Sequence, residues 1–256
     1  MLVDTHAHLN FPQFSKDREE VIRKAKEAGV TQIVNVGTNL DISNQAAALA
    51  DRFDGVYAAV GIHPHDVETA NEAHLEALSS LLAFEHVVAV GETGLDFFRD
   101  YAPHDLQEIV FRKHIRMAVK AGLPLVVHSR GAEARTLELL DAESAYAVGG
   151  VFHCFGGTIE QARRAVALNF GLGFGGMVTF RKSSSVSVAL QIPPDHLVLE
   201  TDCPYLAPVP KRGKRNEPAY VRYVAEFLAR EGNEPVEDVF ARTTENAQRL
   251  FALPNR

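Results

Sequence analysis

Short runs rich in Val, Ile and Leu alternate with amphipathic helical stretches along the whole chain. This alternation is typical of βα units, in which each helix returns the chain to the start of the next strand of a parallel sheet. Eight such runs occur, and this number favours a closed (β/α)8 TIM barrel of the α/β class over a doubly wound sheet. The predicted strands are Leu2–His6, Thr31–Val36, Val56–Ile62, Val87–Glu92, Pro124–His128, Gly150–His153, Phe170–Phe174 and Leu197–Thr201.

The length and the composition suit one barrel. The 256 residues are 46% hydrophobic and no Pro- or Gly-rich linker divides them, so we predict a single domain over residues 1–256. No apolar run approaches the roughly 18 residues of a membrane span. The first residues do not resemble a signal peptide, and two cysteines make no disulfide framework. We therefore expect a cytoplasmic protein with no membrane association and no obligate protein partner.

Capping residues predict several helix ends. Asp17 is expected to cap the first helix, and Gly29 to end it in a left-handed turn. Gly122 is expected to end a later helix in the same way. Two further helices, over roughly 218–231 and 235–251, are predicted to close the chain.

Histidine and carboxylate residues are concentrated where the predicted strands end. In barrel enzymes the loops after the strands surround the active-site crevice, so catalytic chemistry is built at this rim. Random placement would scatter such residues over both ends of the barrel and over the helices. The side chains at or directly after the strand ends are His6, His8, His63, His65, Glu92, His128, His153 and Asp202.

Spacing assigns three of these side chains to one metal ion. His6 and His8 lie two residues apart on an extended strand, so both imidazoles project to the same face. Asp202 follows the eighth strand, which neighbours the first strand once the barrel closes. A lone His-x-His is usually a surface pair or a packed pair. The coincidence with other ligand-type residues on other strands favours metal binding here.

A second metal ion is predicted beside the first. His128 and His153 come from adjacent strands and can share this ion, and the two carboxylate oxygens of Glu92 can bridge the two ions. Imidazole with carboxylate suits zinc, manganese or iron, whereas more oxygen ligation would favour magnesium. Cys154 and Cys203 each follow a proposed ligand and should point to the opposite face, so thiolate ligation is not expected.

Three other groups near the rim remain open in role. Asp4 points inward but deeper than the ligands, which indicates a packing role or a hydrogen bond to a ligand. His63 and His65 face the crevice, where they could hydrogen-bond a substrate phosphate or carbonyl. The alternative is that they rigidify the loop around Pro64.

A basic run follows Asp202, although the formal net charge of the chain is −7. That charge disfavours a general nucleic-acid coat protein, but not an enzyme with one local basic patch. Four cations within five residues can bind phosphate oxygens, and the alternative is an ordinary solvated loop. The candidate substrate-binding cations are Lys211, Arg212, Lys214 and Arg215, with Arg99 and Arg130 as further members of the patch.

At these residues the sequence resembles the TatD-type metal-dependent deoxyribonucleases of the amidohydrolase superfamily. The resemblance implies the same six metal ligands and a cytosolic nuclease, often a 3′-to-5′ exonuclease acting on single-stranded DNA. Thr93 stands where the family more often has an apolar residue and Gly157 where Ser is frequent, and neither departure removes a ligand. The matching stretches are VDTHAHLN at 3–10, VGIHPH at 60–65, VGETGLDFFRD at 90–100, LPLVVHSR at 123–130, GVFHCFGG at 150–157, VTFRK at 178–182, LETDCPYLAPVPKRGKRNEPAYV at 199–221 and TTENAQRLF at 243–251.

The leading hypothesis is hydrolysis of phosphodiester bonds in DNA, with RNA or tRNA as further nucleic-acid substrates. Glu92 and Asp202 are the expected catalytic residues, with Glu92 bridging the metals and Asp202 accepting the proton of the attacking water. A second hypothesis is hydrolysis of an ester or amide, including aminoacyl-tRNA, because the same metal pair can polarise a carbonyl. A third is a metal-stabilised binding scaffold, against which the intact ligand set counts.

Overall fold

Eight parallel strands form one sheet whose spatial order follows the chain. They are seen in a computed structural model of the protein, which describes residues 1–255. Seven of the eight predicted strands keep their place to within a few residues, and the fourth continues four residues beyond Glu92. The strands are β1 (Leu2–Ala7), β2 (Val30–Val36), β3 (Val56–Val60), β4 (Val87–Asp96), β5 (Leu125–Arg130), β6 (Gly150–Phe152), β7 (Phe170–Phe174) and β8 (Leu197–Leu199).

The sheet closes on itself between β1 and the segment that follows β8. Ala7 and Cys203 form a parallel bridge. The backbone N–H of Asp202 donates to the carbonyl of His6, and that of His8 donates to the carbonyl of Cys203, each over 2.9 Å. The prediction of a (β/α)8 barrel is therefore confirmed, with a closure that is short and lies beside the predicted metal ligands.

Helices follow the strands and cover the outside of the barrel. The last two, α8 (Val221–Gly232) and α9 (Val236–Phe251), are the predicted closing helices, and α8 begins at Val221 because residues 218–220 form a 3-10 turn. In the described part of the chain no helix is both long enough and apolar enough to cross a membrane. The helices are α1 (Arg18–Glu27), α2 (Leu40–Arg52), α3 (Glu72–Leu81), α4 (His104–Ala121), α5 (Glu133–Ala142), α6 (Ile159–Ala167), α7 (Ser185–Ala189), α8 (Val221–Gly232) and α9 (Val236–Phe251).

A cluster of small aliphatic side chains, mostly valines, fills the barrel interior. Phe251 and Leu253 join this cluster from the end of α9. The same segment lies beside the starts of the strands, since Gln32 of β2 donates to the carbonyl of Pro254 over 3.0 Å. The C-terminal segment thus covers the barrel end where strands begin and leaves the other end accessible. The interior valines are Val3, Val34, Val36, Val88, Val126, Val151 and Val198.

The helix ends agree with the predicted glycines but not with the predicted cap. Gly29 and Gly122 adopt φ values of 88° and 69°, the left-handed conformation that ends a helix. Asp17 occupies the N-cap position of α1, but its side chain makes no capping hydrogen bond. Its carboxylate instead binds the guanidinium of Arg215 over 2.9 and 2.7 Å. A charge-assisted, two-pronged contact is stronger than one bond to a backbone N–H, and so the predicted capping role is wrong.

A buried histidine of α4 supports the loop that follows β3. His114 is fully buried. Its Nδ1 donates to the carbonyl of Val110 over 2.9 Å, and its Nε2 accepts the backbone N–H of Ile62 over 3.1 Å. The contact with Ile62 requires the neutral imidazole, because Nε2 can accept a hydrogen bond only when it carries no proton. Burial lowers the pKa of His114 to about 4, although the hydrogen bond to the Val110 carbonyl favours the protonated form and so raises it.

We predict that this histidine makes folding sensitive to mild acid. The unfolded chain takes up the proton near pH 6.5 and the folded chain only near pH 4. The free energy of unfolding should therefore fall by about 3 kcal/mol as the pH decreases across that interval. His114→Gln cannot take up the proton, so its denaturant-unfolding free energy, measured with a chelator from pH 7.5 to 4, should change less than that of the parent. Parallel pH profiles for the two proteins would contradict the prediction.

Candidate metal centre

Along a strand, the inward-facing side chains change from apolar residues in the barrel interior to polar residues at its carboxyl end. On β5, Val126 and His128 lie two residues apart and therefore share the inward face. Val151 and His153 repeat this arrangement at β6. The same alternation that fills the barrel with valines therefore places imidazoles above them at the accessible end.

The six predicted ligands come together in one cluster at that end. Their side chains range from fully buried, for His6, to 15% exposed, for Asp202. The cluster contains sets of three ligand atoms that all lie within 4.8 Å of one another. These sets are His6 with His8 and Glu92, His6 with His153 and Asp202, and His63 with Glu92 and His128.

One carboxylate oxygen of Glu92 faces His6 of β1 and His8, which directly follows β1. Its Oε2 lies 3.5 Å from Nε2 of His6 and 3.7 Å from Nε2 of His8, and these two nitrogens are 3.1 Å apart. Asp202 approaches across the barrel closure, with Oδ1 3.5 Å from Nε2 of His8 and 3.9 Å from Nε2 of His6. The Nδ1 of His8 donates to the carbonyl of Val36 over 3.1 Å, which leaves the Nε2 lone pair directed at the cluster.

The other carboxylate oxygen of Glu92 faces three histidines, one on β5 and two shortly after β3 and β6. Its Oε1 lies 3.0 Å from Nδ1 of His128, 3.3 Å from Nε2 of His153 and 3.5 Å from Nε2 of His63. His63 thus lies among the ligand-type atoms, whereas its predicted role was substrate binding. His153 also stacks on His6, with ring centroids 3.9 Å apart. It therefore lies between the two sides of Glu92 and not with His128 alone.

The spacing of these atoms fits side chains that share metal ions. Two ligand atoms that are each about 2 Å from one ion lie about 3 to 3.5 Å apart. The separations around Glu92 run from 3.0 Å to 3.7 Å. The Nε2 atoms of His6 and His8 point at each other across 3.1 Å, an arrangement that a shared cation would stabilise. The residues present could therefore hold divalent metal ions on both sides of Glu92.

Asp96 is a buried neighbour of the cluster that the sequence did not reveal. Its Oδ2 lies 2.8 Å from Nε2 of His65 and 3.2 Å from Nε2 of His128. Its Oδ1 accepts two backbone N–H groups of the loop that follows β4. Asp96 lies four residues after Glu92 on the same face of one strand. The four-residue spacing from Glu92 could have indicated Asp96 from the sequence. It did not, because the predicted strand ended at Glu92 and β4 continues to Asp96.

Two further buried carboxylates support the cluster without belonging to its sets of ligand atoms. Oε1 of Glu200 accepts the N–H of Cys154 over 2.6 Å and lies 3.5 Å from Nδ1 of His153. Asp4 accepts the N–H and the hydroxyl of Thr201 over 2.9 and 2.6 Å, and so ties β1 to the end of β8. Burial raises the pKa of Asp4 to about 8, even though these hydrogen bonds favour its charged form.

The charges in the cluster compensate one another. Burial alone would raise the pKa of Glu92, but the imidazoles of His63, His153 and His6 hold it well below its usual range. Burial alone would lower the pKa of His153, but Glu92 and Glu200 raise it to about 10. Without a bound metal, His153 therefore carries a proton at neutral pH.

Arg215 is engaged within the fold, which differs from the substrate-binding role predicted for it. Its guanidinium lies 2.7 Å from a carboxylate oxygen of Asp17 and 3.0 Å from one of Glu217. These contacts tie the basic segment after β8 to the start of α1. A guanidinium already bound by two carboxylates has few donors left for a phosphate.

Of the other five candidate cations, four are exposed and Lys211 is half-buried. The side chain of Lys211 lies over two tyrosine rings, 5.3 and 5.7 Å from their centroids, and that of Arg212 lies 3.7 Å from a phenylalanine ring centroid. Lys214 is exposed. Arg99 and Arg130, in the loop after β4 and at the end of β5, are exposed as well. These five side chains stay candidates for contacts with a substrate.

A parallel eight-stranded barrel with imidazoles and carboxylates gathered at its carboxyl end defines a class of barrel enzymes that hold metal ions. Comparison with known proteins places the chain within that class. The model of the family described as TatD related DNase matches residues 3–252. The chain belongs to this family.

Relatives and solved structures agree over nearly the full length. The chain is 46% identical to "Uncharacterized metal-dependent hydrolase YabD" of Bacillus subtilis, over 99% of this chain and 100% of that protein. It is 38% identical to "3'-5' ssDNA/RNA exonuclease TatD" of Cronobacter sakazakii, over 98% and 97%. The crystal structure of YJJV, a TatD homolog from Escherichia coli K12, superposes with a TM-score of 0.94 at 33% identity, over 99% of this chain and 98% of that one. The protein is therefore a metal-dependent hydrolase of the TatD family.

We predict that metal loading displaces the proton of His153. Because its pKa lies near 10, the chelator-treated protein should release about one proton from this residue when it binds Zn²⁺ at pH 7.5. Calorimetric titration in two buffers of different ionisation enthalpy counts the released protons. His153→Asn should lower the count by about one, and His74→Asn, on α3, should not. An equal count for the parent and for His153→Asn would show that His153 does not lose a proton to the metal.

Proposed function

We propose that the protein is a nuclease that hydrolyses phosphodiester bonds of single-stranded DNA from the 3′ end. The observation that carries this proposal is the position of Glu92, whose two oxygens face separate groups of imidazoles at the accessible barrel end. Such an arrangement supports a site for two ions, which suits displacement at phosphorus. The direction of cleavage is supported by the relative named as a 3′–5′ exonuclease.

The proposed ligands divide around Glu92. His6, His8 and Asp202 would hold one ion, while His128 and His153 would hold the other. His63 lies close enough to Glu92 to be a further ligand on the second side. Bound divalent ions would acidify a water molecule and neutralise charge on the phosphate oxygens.

Asp202 is the proposed proton acceptor. Its side chain is 15% exposed, whereas that of Glu92 is 4% exposed, so Asp202 is the carboxylate that a water in the crevice reaches more easily. Burial alone would raise the pKa of Asp202, but His8, His153 and His6 lower it, and the carboxylate is ionised at neutral pH. It can then take the proton from the water as the water oxygen bonds to phosphorus and the bond to the leaving oxygen breaks.

The direct test is cleavage of single-stranded DNA and RNA oligonucleotides labelled at the 3′ or the 5′ end, with Mg²⁺, Mn²⁺ or Zn²⁺ supplied. A 3′-to-5′ exonuclease releases a 3′ label at once as a mononucleotide and shortens a 5′-labelled strand stepwise. Release of the 5′ label first would contradict the polarity. Turnover confined to ester or amide substrates would overturn the nuclease proposal.

We predict that Asp202→Asn lowers turnover on DNA by roughly 10²- to 10⁴-fold, the usual range for removal of a general base. Asparagine keeps the shape and one ligating oxygen but loses the charge and the basicity. Metal content must be measured on the same sample, since loss of metal would mimic the effect. A metal-replete variant with near-parent turnover would show that another group accepts the proton.

We also propose that Lys211, Arg212 and Lys214 bind substrate phosphates. Their combined replacement by Ala should weaken DNA binding and flatten its salt dependence, by about 0.7 in log–log slope for each phosphate of the single strand that a cation no longer neutralises. Arg215→Ala is the matched control, because this cation is held by Asp17 and Glu217. Arg215→Ala should lower the free energy of unfolding and leave the salt-dependence slope of DNA binding nearly unchanged. If the salt-dependence slope of the triple variant is unchanged, the basic segment that follows Asp202 is ordinary solvated surface and does not bind substrate phosphates.

A further inference from the structure

Three large aromatic side chains are exposed on loops at the carboxyl end of the barrel. Phe98 and Tyr101 follow β4, with 65% and 61% of their surface exposed, and Tyr205 follows β8, with 50% exposed. An exposed ring forgoes the stabilisation that its burial would give. Single exposed rings are common on protein surfaces, but these three are grouped at the end of the barrel that carries the candidate metal centre.

Two of these rings adjoin the metal centre from different sides. The ring of Tyr101 meets that of His65 edge-on, with centroids 4.7 Å apart. The ring of Tyr205 lies 6.3 Å from that of Phe11, which itself stacks on His8 at 4.4 Å and 10°. Since β4 and β8 are four strands apart in an eight-stranded barrel, the two tyrosines flank the centre from opposite walls.

Buried amides fix the backbone beside both tyrosines. Asn216 donates from Nδ2 to the carbonyl of Tyr205 over 2.7 Å and to that of Thr201 over 2.8 Å. Gln107 donates from Nε2 to the carbonyl of Ala102, the residue after Tyr101, over 2.8 Å. Both amides are fully buried. The buried amides thus hold the backbone of both loops, while the rings of Tyr101 and Tyr205 are exposed to solvent.

We propose that Tyr101 and Tyr205 stack on the two bases that flank the phosphate at the metal centre. This inference rests on the proposed nuclease function and specifies how the strand is held. Bases of a single strand have free faces, whereas those of a duplex stack on each other, so the two rings select single-stranded nucleic acid. Phe98 belongs to the same wall, and the guanidinium of Arg130 lies 4.4 Å from its ring centroid, where it can reach a neighbouring phosphate.

The chain supplies matched controls at the other end of the barrel. Tyr146 is 51% exposed and Phe84 is 60% exposed. They lie in the segments that lead into β6 and β4, so they are at the end where strands begin. Their replacement removes similar exposed rings far from the metal centre.

The test compares two substrates that differ only in their bases. The metal-loaded parent and variants are given a single-stranded DNA 10-mer and a 10-mer of abasic residues with the same phosphates. Tyr101→Ala and Tyr205→Ala should each lower kcat/KM on the base-containing strand by about 5- to 150-fold, the range measured for loss of one stacked base. The abasic strand should be cleaved at the parent's rate, and Tyr101→Phe and Tyr205→Phe should restore cleavage of the normal strand. Tyr146→Ala and Phe84→Ala should leave both rates unchanged.

Equal losses on the two strands, or no loss on either, would overturn base stacking while cleavage by the parent still supports the nuclease function. A parent that cleaves neither strand overturns the nuclease proposal, and the stacking proposal falls with it.

Discussion

The candidate metal centre depends on one buried carboxylate surrounded by imidazoles. Burying an isolated carboxylate is costly, because the interior cannot replace its hydration. Glu92 is 3% exposed, and imidazole nitrogens from β1, β5 and the segments after β3 and β6 lie within 3.0 to 3.7 Å of its two oxygens. The site is thus electrostatically balanced around Glu92. Removing that carboxylate would leave the histidines on both sides without their shared partner.

The barrel closure and the candidate metal site share the same backbone segments. The hydrogen bonds that join the end of β8 to β1 use the backbone of Asp202, His6 and His8, three of the proposed ligands. Asp4 reinforces the closure from below through Thr201. A change that opens this seam would therefore separate ligands as well as strands, and metal binding should in turn stabilise the closed barrel.

The sequence predicts those features that depend on regular spacing. Alternating runs of Val, Ile and Leu predict the eight strands, and His6 with His8 follows from the two-residue period of a strand. Contacts between distant segments do not follow from spacing. The ion pair of Asp17 with Arg215 spans 198 positions and replaces a local helix cap. Asp96 was missed because β4 continues past Glu92, and strand ends depend on pairing with neighbouring strands that a single sequence does not show.

Asp96 also connects two histidines of the cluster to the loop that follows β4. One oxygen holds His65 and His128, and the other accepts the backbone N–H groups of Phe98 and Arg99. The loop that carries Phe98 and Tyr101 is therefore held by the same carboxylate that contacts two histidines of the candidate metal centre. Asp96 is fully buried, so the positions of this loop and of the two histidines depend on the same side chain. If the exposed rings bind bases as we propose, a change in this loop that alters base binding should therefore also alter the position of the phosphate.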